Sequence, residues 1–223
     1  MNKALFIRAI SRFSVGLLLV LGLLFIPAGT WNYPQGWLLI SILFVPMFMA
    51  GLVMMKKDPE LLKKRLNVRE GEAKQRQVIW LSGIMFLAAF ILAGLSYRYE
   101  WLMLPAPVSV IGAIVFLAAY ALYAEVLREN SYLSRTVEVQ ENQKVIDTGL
   151  YGIVRHPMYM VTVFLFLAMP LVLGSVISFV IMLAYIPIII KRIRNEELVL
   201  AEGLPGYREY MEKVKYRLIP FVW

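Results

Sequence analysis

The side chains that could carry chemistry stand at the two ends of one long apolar run. At its start, His156, the only histidine in the 223 residues, follows Arg155 and precedes Pro157. Proline suits the first position of a helix, so His156 would lie at a helix N-terminus, where free N–H groups attract anions. A neighbouring guanidinium has the planar geometry that binds a carboxylate or phosphate. This end of the run indicates either a site for an anionic group or an anchor in lipid headgroups.

At the other end of the run, Arg192 and Glu196 lie four residues apart and therefore share a helix face. Glu197 follows directly, and two adjacent carboxylates need cations such as Arg155, Arg192 and Arg194 near them. The pattern is typical either of a functional site or of a solvated helix with ordinary salt bridges. A functional site is the better interpretation only if the apolar run brings its two ends together.

The apolar run, Met158–Ile190, is too long for a single span. As one helix its 33 residues would extend about 50 Å, against a hydrocarbon core of about 30 Å. Pro170 and Gly174 interrupt it near the middle, and both residues break helices. We therefore predict a helical hairpin that turns near Gly174, with one tilted helix kinked at Pro170 as the alternative. A hairpin returns to the face where it began, so residues near 156 and 195 would be neighbours.

The composition predicts an integral membrane protein. Hydrophobic residues make up 60% of the chain and charged residues 17%, with a mean hydropathy of +0.69. Four further apolar segments precede the hairpin: Phe13–Ala28, Gly36–Met55, Val78–Tyr97 and Ala106–Leu127. With the two arms of the hairpin, the predicted fold is all-α with about six transmembrane helices. The first segment also resembles a signal peptide, but its weak cleavage site and the spans that follow favour a retained helix.

The basic residues agree with this topology. With six spans and a cytoplasmic N-terminus, 22 of the 23 lysines and arginines face the cytoplasm, and only Arg98 does not. Both termini are therefore predicted to be cytoplasmic, and the net charge of +8 reflects orientation and anionic lipid rather than nucleic acid. A basic cytoplasmic loop at 56–77 begins with Asp58-Pro59, which is typical of the start of an amphipathic surface helix.

Several kinds of site are excluded. The chain has no cysteine and a single histidine, so disulfides, thiolate ligands and histidine-rich metal sites are absent. It also lacks the glycine-rich motifs of soluble nucleotide-binding domains. Two parts are predicted: residues 1–127 hold the first four spans, and residues 128–223 hold a polar loop, the hairpin 157–190 and C-terminal helices. Tyr207 and Tyr210, three apart on a short helix, could line a slot for a flat base.

The motifs "GLYGIVRHPMY", "RIRNEEL" and "YREYMEKVKYRLIP", set around the hairpin, resemble the isoprenylcysteine carboxyl methyltransferase family, and the amino-terminal half resembles its bacterial members. The resemblance implies a membrane enzyme of the bacterial inner membrane that uses S-adenosylmethionine. It implies a cytosolic cofactor pocket and a lipophilic methyl acceptor that enters from the bilayer. The residues expected at the cofactor, besides Tyr207 and Tyr210, are Gln143, Lys144, Val145, Ile146, Gly149, Tyr151, Arg155, His156, Pro157, Met158 and Tyr159. A further contact would fall near Thr136.

The resemblance assigns the transfer step to the second polar cluster. Arg192 and Glu196 would hold the acceptor, most simply the carboxylate of an isoprenylcysteine-like molecule, and Glu197 is the third catalytic candidate. If the acceptor is instead the amine of a phospholipid, Glu196 or Glu197 would act as the base. Methylation of a small thiol is another alternative. A transporter or scaffold is disfavoured because the spans contain few ionisable residues, with Glu125 near an inner end. The sequence does not indicate an oligomeric state.

Overall fold

The computed structural model of the chain describes residues 3–66, 73–133 and 139–223. In these ranges the regular secondary structure is entirely helical and there are no strands, as predicted for an all-α membrane protein. A 3-10 helix, Gly149–Gly152, precedes the hairpin. The α-helices are α1 (Lys3–Ala28), α2 (Pro34–Lys57), α3 (Pro59–Leu66), α4 (Ala73–Tyr99), α5 (Ala106–Glu129), α6 (Pro157–Leu173), α7 (Val176–Met182), α8 (Tyr185–Gly203) and α9 (Tyr207–Lys213).

The membrane-spanning segments are close to the predicted ones. Five helical stretches are long and apolar enough to cross a bilayer: α1, α2, the part of α4 from Arg76, α5, and α7 with α8 together. The fifth predicted span, which is the first arm of the hairpin, is α6, a shorter apolar helix of 17 residues. Bulky side chains such as Leu18, Ile26 and Ile114 are exposed on the outside of the bundle, as lipid contact requires.

The apolar run reverses direction at Gly174, which excludes the alternative of one kinked helix. Gly174 has a left-handed φ of 71° and ends α6, and the Ser175 side chain caps α7 by accepting from Ser178 N at 3.2 Å. The Leu104 N–H donates to Gly174 O at 2.8 Å and so fixes the turn to the α4–α5 loop. The second arm differs from the prediction, because it bends at residues 183–184 and continues to Gly203 instead of ending near Ile190.

Close packing of α5 against α6 holds the hairpin in place. A side chain at Gly112 would bring a Cβ within 2.8 Å of Val172 N, so glycine at this position lets the two backbones approach each other. Ten of the 17 residues of α6 are buried, against α2, α5, α7 and α8. The N-terminus of α6 is therefore held by helices on several sides.

The α3 helix lies on the end of the bundle that we call the basic face, which also carries Lys56 and Lys57. Its predicted cap is confirmed, because Asp58 Oδ1 accepts from Leu61 N at 2.9 Å. Lys64 donates to Ser131 O at 3.2 Å, so α3 contacts the segment that follows α5. The rest of the predicted basic loop includes residues 67–72, which lie outside the described residues, as does Thr136.

Candidate functional site

A cavity opens on the basic face where the segment before α6 meets the end of α8 and α9. It encloses about 800 Å³, including the part open to solvent. Two stretches far apart in sequence form its walls, as the hairpin prediction requires. The lining residues are Asn130, Tyr132, Leu133, Gln140, Gln143, Lys144, Val145, Ile146, Tyr151, Arg155, His156, Pro157, Met158, Tyr159, Glu196, Leu200, Leu204, Tyr207 and Tyr210.

Most of the predicted site residues lie around this cavity. Twelve of the thirteen residues predicted at a cofactor line it, together with Glu196. Gly149, Arg192 and Glu197 are outside the lining. Sequence reasoning missed six lining residues: Asn130, Tyr132, Leu133, Gln140, Leu200 and Leu204. The polar stretch "ENSYL" directly after the fourth span was a signal for the first three, since it begins on the same membrane face.

Glu197 is the centre of a buried ionic cluster behind the cavity wall. Its Oε1 lies 2.8 Å from Arg155 Nε and 3.3 Å from His156 Nε2, while its Oε2 accepts from Arg217 Nε at 2.7 Å. The contact with Arg155 is an ion pair without hydrogen-bond geometry. Glu197, Arg155 and His156 are each at most 7% exposed. A buried carboxylate of this kind requires cationic partners, and here they come from two other segments of the chain.

A second polar chain runs from the cavity towards the membrane helices. Tyr159, on the first turn of α6, donates its hydroxyl proton to Glu196 Oε2. The same hydroxyl accepts from Arg192 Nε at 2.8 Å, and the guanidinium lies over the ring at 5.7 Å. Tyr159 also stacks on His156, with ring centroids 5.7 Å apart. The predicted association of Arg192 with Glu196 therefore includes a tyrosine between them, which the sequence did not reveal.

Gly149 shapes the cavity from outside it. It starts the 3-10 helix with a φ of +51°, and a Cβ there would collide with the carboxylate of Glu129. One residue further along α5's end, Asn130 Nδ2 donates to the Tyr151 hydroxyl at 3.0 Å. The Tyr151 carbonyl accepts from the Tyr210 hydroxyl at 2.7 Å. This turn thus aligns Tyr151 with both walls of the cavity.

The tyrosines of the cavity are uncharged donors. Burial raises the pKa of Tyr151, Tyr207 and Tyr210 above the ordinary value, so all three hydroxyls keep their protons at neutral pH. The Tyr207 hydroxyl is buried in the cavity wall and has no hydrogen-bond partner within the described part of the chain. Such an atom is costly to bury unless a bound molecule or water satisfies it.

The cavity therefore combines the groups needed to bind an amphipathic, charged molecule. Its amides, Asn130, Gln140 and Gln143, offer both donors and acceptors, and its tyrosines and leucines offer apolar and aromatic surfaces. Lys144 and Arg155 supply positive charge, and Glu196 supplies negative charge. Within the described ranges, no group of three or more acidic or histidine side chains could hold a metal ion.

Comparison with known proteins finds a match to one family. A family model described as the isoprenylcysteine carboxyl methyltransferase (ICMT) family matches residues 110–202, which are 93 of the 223 residues. The match runs from α5 to the end of α8 and includes both ends of the hairpin, whereas Tyr207, Tyr210 and Arg217 lie beyond it. None of the curated proteins that were compared matches the chain. Residues 110–202 are thus similar to the isoprenylcysteine carboxyl methyltransferase family, and this match supports a methyltransferase of the membrane.

Proposed function

We propose that the protein transfers a methyl group from S-adenosylmethionine to the carboxylate of a lipophilic, isoprenylcysteine-like acceptor. The observation that carries this proposal is the position of Tyr159. Its side chain lines the polar cavity and also contacts Arg192, which is on α8 two residues after the apolar run ends at Ile190. A water-soluble methyl donor and a membrane-borne acceptor would meet at such a position. With the positive-inside rule, the basic face is cytoplasmic, as in an inner-membrane protein of bacteria.

The lining of the cavity fits the proposed cofactor. The unpaired Tyr207 hydroxyl and the amides of Gln140 and Gln143 would hold the adenosine part, and Tyr210 would cover it. Arg155 would attract the carboxylate of the methionyl part, and Glu196 would attract its cationic groups.

The chemistry asks for positioning rather than acid or base catalysis. When bound, S-adenosylmethionine would supply a methyl group on a sulfonium sulfur, and it would leave as the neutral thioether S-adenosylhomocysteine when the S–CH3 bond breaks and the acceptor carboxylate forms the O–CH3 bond. A carboxylate acceptor would not need to lose a proton first. Arg192 would orient the acceptor carboxylate, and Tyr159 and Glu196 would fix the guanidinium of Arg192. Glu197 would act indirectly, because both of its oxygens already bind Arg155, His156 and Arg217. Positioning two reactants in this way lowers the activation barrier by up to roughly 7–11 kcal/mol.

The proposal is tested with the purified full chain in detergent. Binding of S-adenosylmethionine is measured by calorimetry, and transfer of labelled methyl groups is measured with a panel of lipidic carboxylates, thiols and amines. The proposal expects binding and a carboxyl ester product. The absence of cofactor binding would overturn it, and so would methylation of amines alone. Transfer to phosphatidylethanolamine would instead favour the phospholipid N-methyltransferase alternative, with Glu196 as the base.

The division of roles predicts the behaviour of one variant. Arg192→Ala should lower turnover by about a hundredfold or more, as the loss of one charge-positioning donor does in other enzymes. Its dissociation constant for S-adenosylmethionine should change little, because Arg192 is outside the cavity lining. Arg194→Ala is the matched control, since Arg194 is an exposed arginine two residues after Arg192, about half a turn further along α8. Equal losses of turnover and cofactor affinity in Arg192→Ala would contradict the assignment.

A further inference from the structure

The last ten residues of the chain fold against the cavity wall. The backbone N–H groups of Arg155 and His156 donate to the carbonyls of Tyr216 and Arg217, each at 2.9 Å. Arg155 Nη1 donates to Met211 O at 3.1 Å. The start of α6 is thus attached to the C-terminal segment through main-chain bonds, and Arg217 reaches Glu197 from there.

The guanidinium of Arg217 is held between Glu197 and Trp223. Its Nε donates to Glu197 at 2.7 Å, and its guanidinium lies 5.3 Å from the centre of the Trp223 ring. The N–H groups of residues 217, 218 and 219 all donate to Trp223 O, at 2.8 to 3.1 Å, which folds the segment back on itself. The buried side chain of Leu218 anchors the same turn in the core. Arg217 is therefore in a fixed position although its side chain is 34% exposed.

The charges of the cluster do not balance. One carboxylate, Glu197, faces the two guanidinium groups of Arg155 and Arg217, so these three side chains together carry a net charge of +1. Only Arg155 and His156 of this cluster line the cavity. Without Arg217, the charge of Glu197 would fully offset that of Arg155. The excess positive charge of this cluster thus depends on a residue that does not line the cavity.

We propose that Arg217 is a positioning residue of the cofactor site, which offsets Glu197 and so leaves Arg155 free to attract the carboxylate of the bound ligand. This inference rests on the proposed function, since the proposed function identifies the carboxylate as the ligand group that the cluster recognises. Arg217 lies outside the matched family segment, 110–202, and outside the residues that sequence reasoning selected.

The experiment compares two ligands that differ only in the recognised group. The full chain in detergent is titrated calorimetrically with S-adenosylmethionine and with its decarboxylated form, which lacks the carboxylate. Arg217→Met should weaken binding of S-adenosylmethionine about tenfold, since one partly screened charge near a buried site is worth on that order. Binding of the decarboxylated ligand should weaken less than about threefold, because this ligand has no carboxylate for Arg155 to attract.

Two more variants separate charge from general damage. Arg217→Met combined with Glu197→Gln restores the net charge of +1, so the preference for the carboxylate-bearing ligand should return. Because this double variant leaves no buried unpaired carboxylate, it tests the inference even if Arg217→Met fails to fold. Lys215→Met is the control, because it removes one exposed positive charge two residues away and should leave both affinities unchanged.

The outcomes distinguish this inference from the function on which it rests. Equal weakening of both ligands in Arg217→Met would show a purely structural role and overturn the inference alone. The inference would also fail if the double variant did not recover its preference for S-adenosylmethionine. If the wild-type chain bound neither ligand, the proposed function would be overturned and the inference with it.

Discussion

Tyr159 is the residue that joins the cavity to the membrane side of the site. Its hydroxyl contacts both Arg192 and Glu196, while its ring stacks on His156. Tyr159→Phe keeps the ring and removes both hydrogen bonds. We expect turnover to fall at least tenfold to a hundredfold, since even one of the two hydrogen bonds to charged groups contributes about 1.5–3 kcal/mol. Cofactor affinity, measured by calorimetry, should fall much less.

A matched tyrosine provides the control for this substitution. Tyr185 is also buried, and its hydroxyl contacts Thr162 at 2.9 Å, further into the membrane. Tyr185→Phe should therefore change turnover by less than Tyr159→Phe. If the two variants lost equal activity, a special role for the Tyr159 hydroxyl would be ruled out.

Gly149 is required by its conformation and by its neighbour. Gly149→Ala would place a side chain at a φ of +51° and against the Glu129 carboxylate. The left-handed conformation alone costs about 1–2 kcal/mol for a residue with a Cβ. We expect a lower midpoint of thermal unfolding in detergent and weaker cofactor binding. Gly83→Ala, at a helical glycine with open space around it, is the control and should not lower the midpoint.

The residues of the site were predictable to different degrees. The meeting of His156 with Glu197 follows from the length of the apolar run and its central glycine, which are properties of the sequence. The role of Arg217 was not predictable, because the chain from Val214 onward has no helical periodicity that would fix its path. The contact of Tyr159 with Arg192 and Glu196 also depends on the rotation of α6 relative to α8, which hydrophobic patterns do not determine.

At the scale of elements, α3 depends on its cap more than a long helix would. It has eight residues, too few to be stable alone, and the Asp58 side chain satisfies the N–H of Leu61. Asp58→Ala should cost about 0.5–2 kcal/mol of helix stability, whereas Asp58→Asn should keep the cap. Hydrogen exchange of the amides in residues 59–66 measures the difference. Unchanged exchange in Asp58→Ala would indicate that the buried Leu61 and Leu62 hold α3 without the cap.

The boundaries of the hairpin show where sequence patterns reach their limit. Gly174 was predicted as the turn because it interrupts an over-long apolar run near its middle, and the structure shows that it ends α6 in the left-handed conformation. The bend at residues 183–184 was missed, since "MLAYI" contains neither glycine nor proline ahead of Pro187. Hydropathy falls at Lys191, but α8 continues to Gly203. Its polar half contributes residues to the cavity wall and to the ionic cluster.

At the scale of the whole molecule, the predicted orientation has a simple test. The chain has no cysteine, so one introduced cysteine is the only thiol that a membrane-impermeant maleimide can label. Lys63→Cys and Glu202→Cys, on the basic face, should label only after the cytoplasmic side is made accessible. Trp101→Cys, in the loop between α4 and α5, should label from the outside. Labelling of all three positions from one side would contradict the topology.

The division of the cavity wall between two distant segments also has a consequence for biosynthesis. Tyr207 and Tyr210 leave the ribosome only after the hairpin has been made, so a nascent chain that stops at Ala201 carries one wall without the other. Ligand capture therefore requires synthesis of the chain at least as far as Tyr210. A nascent chain inserted only as far as the hairpin would remain inactive.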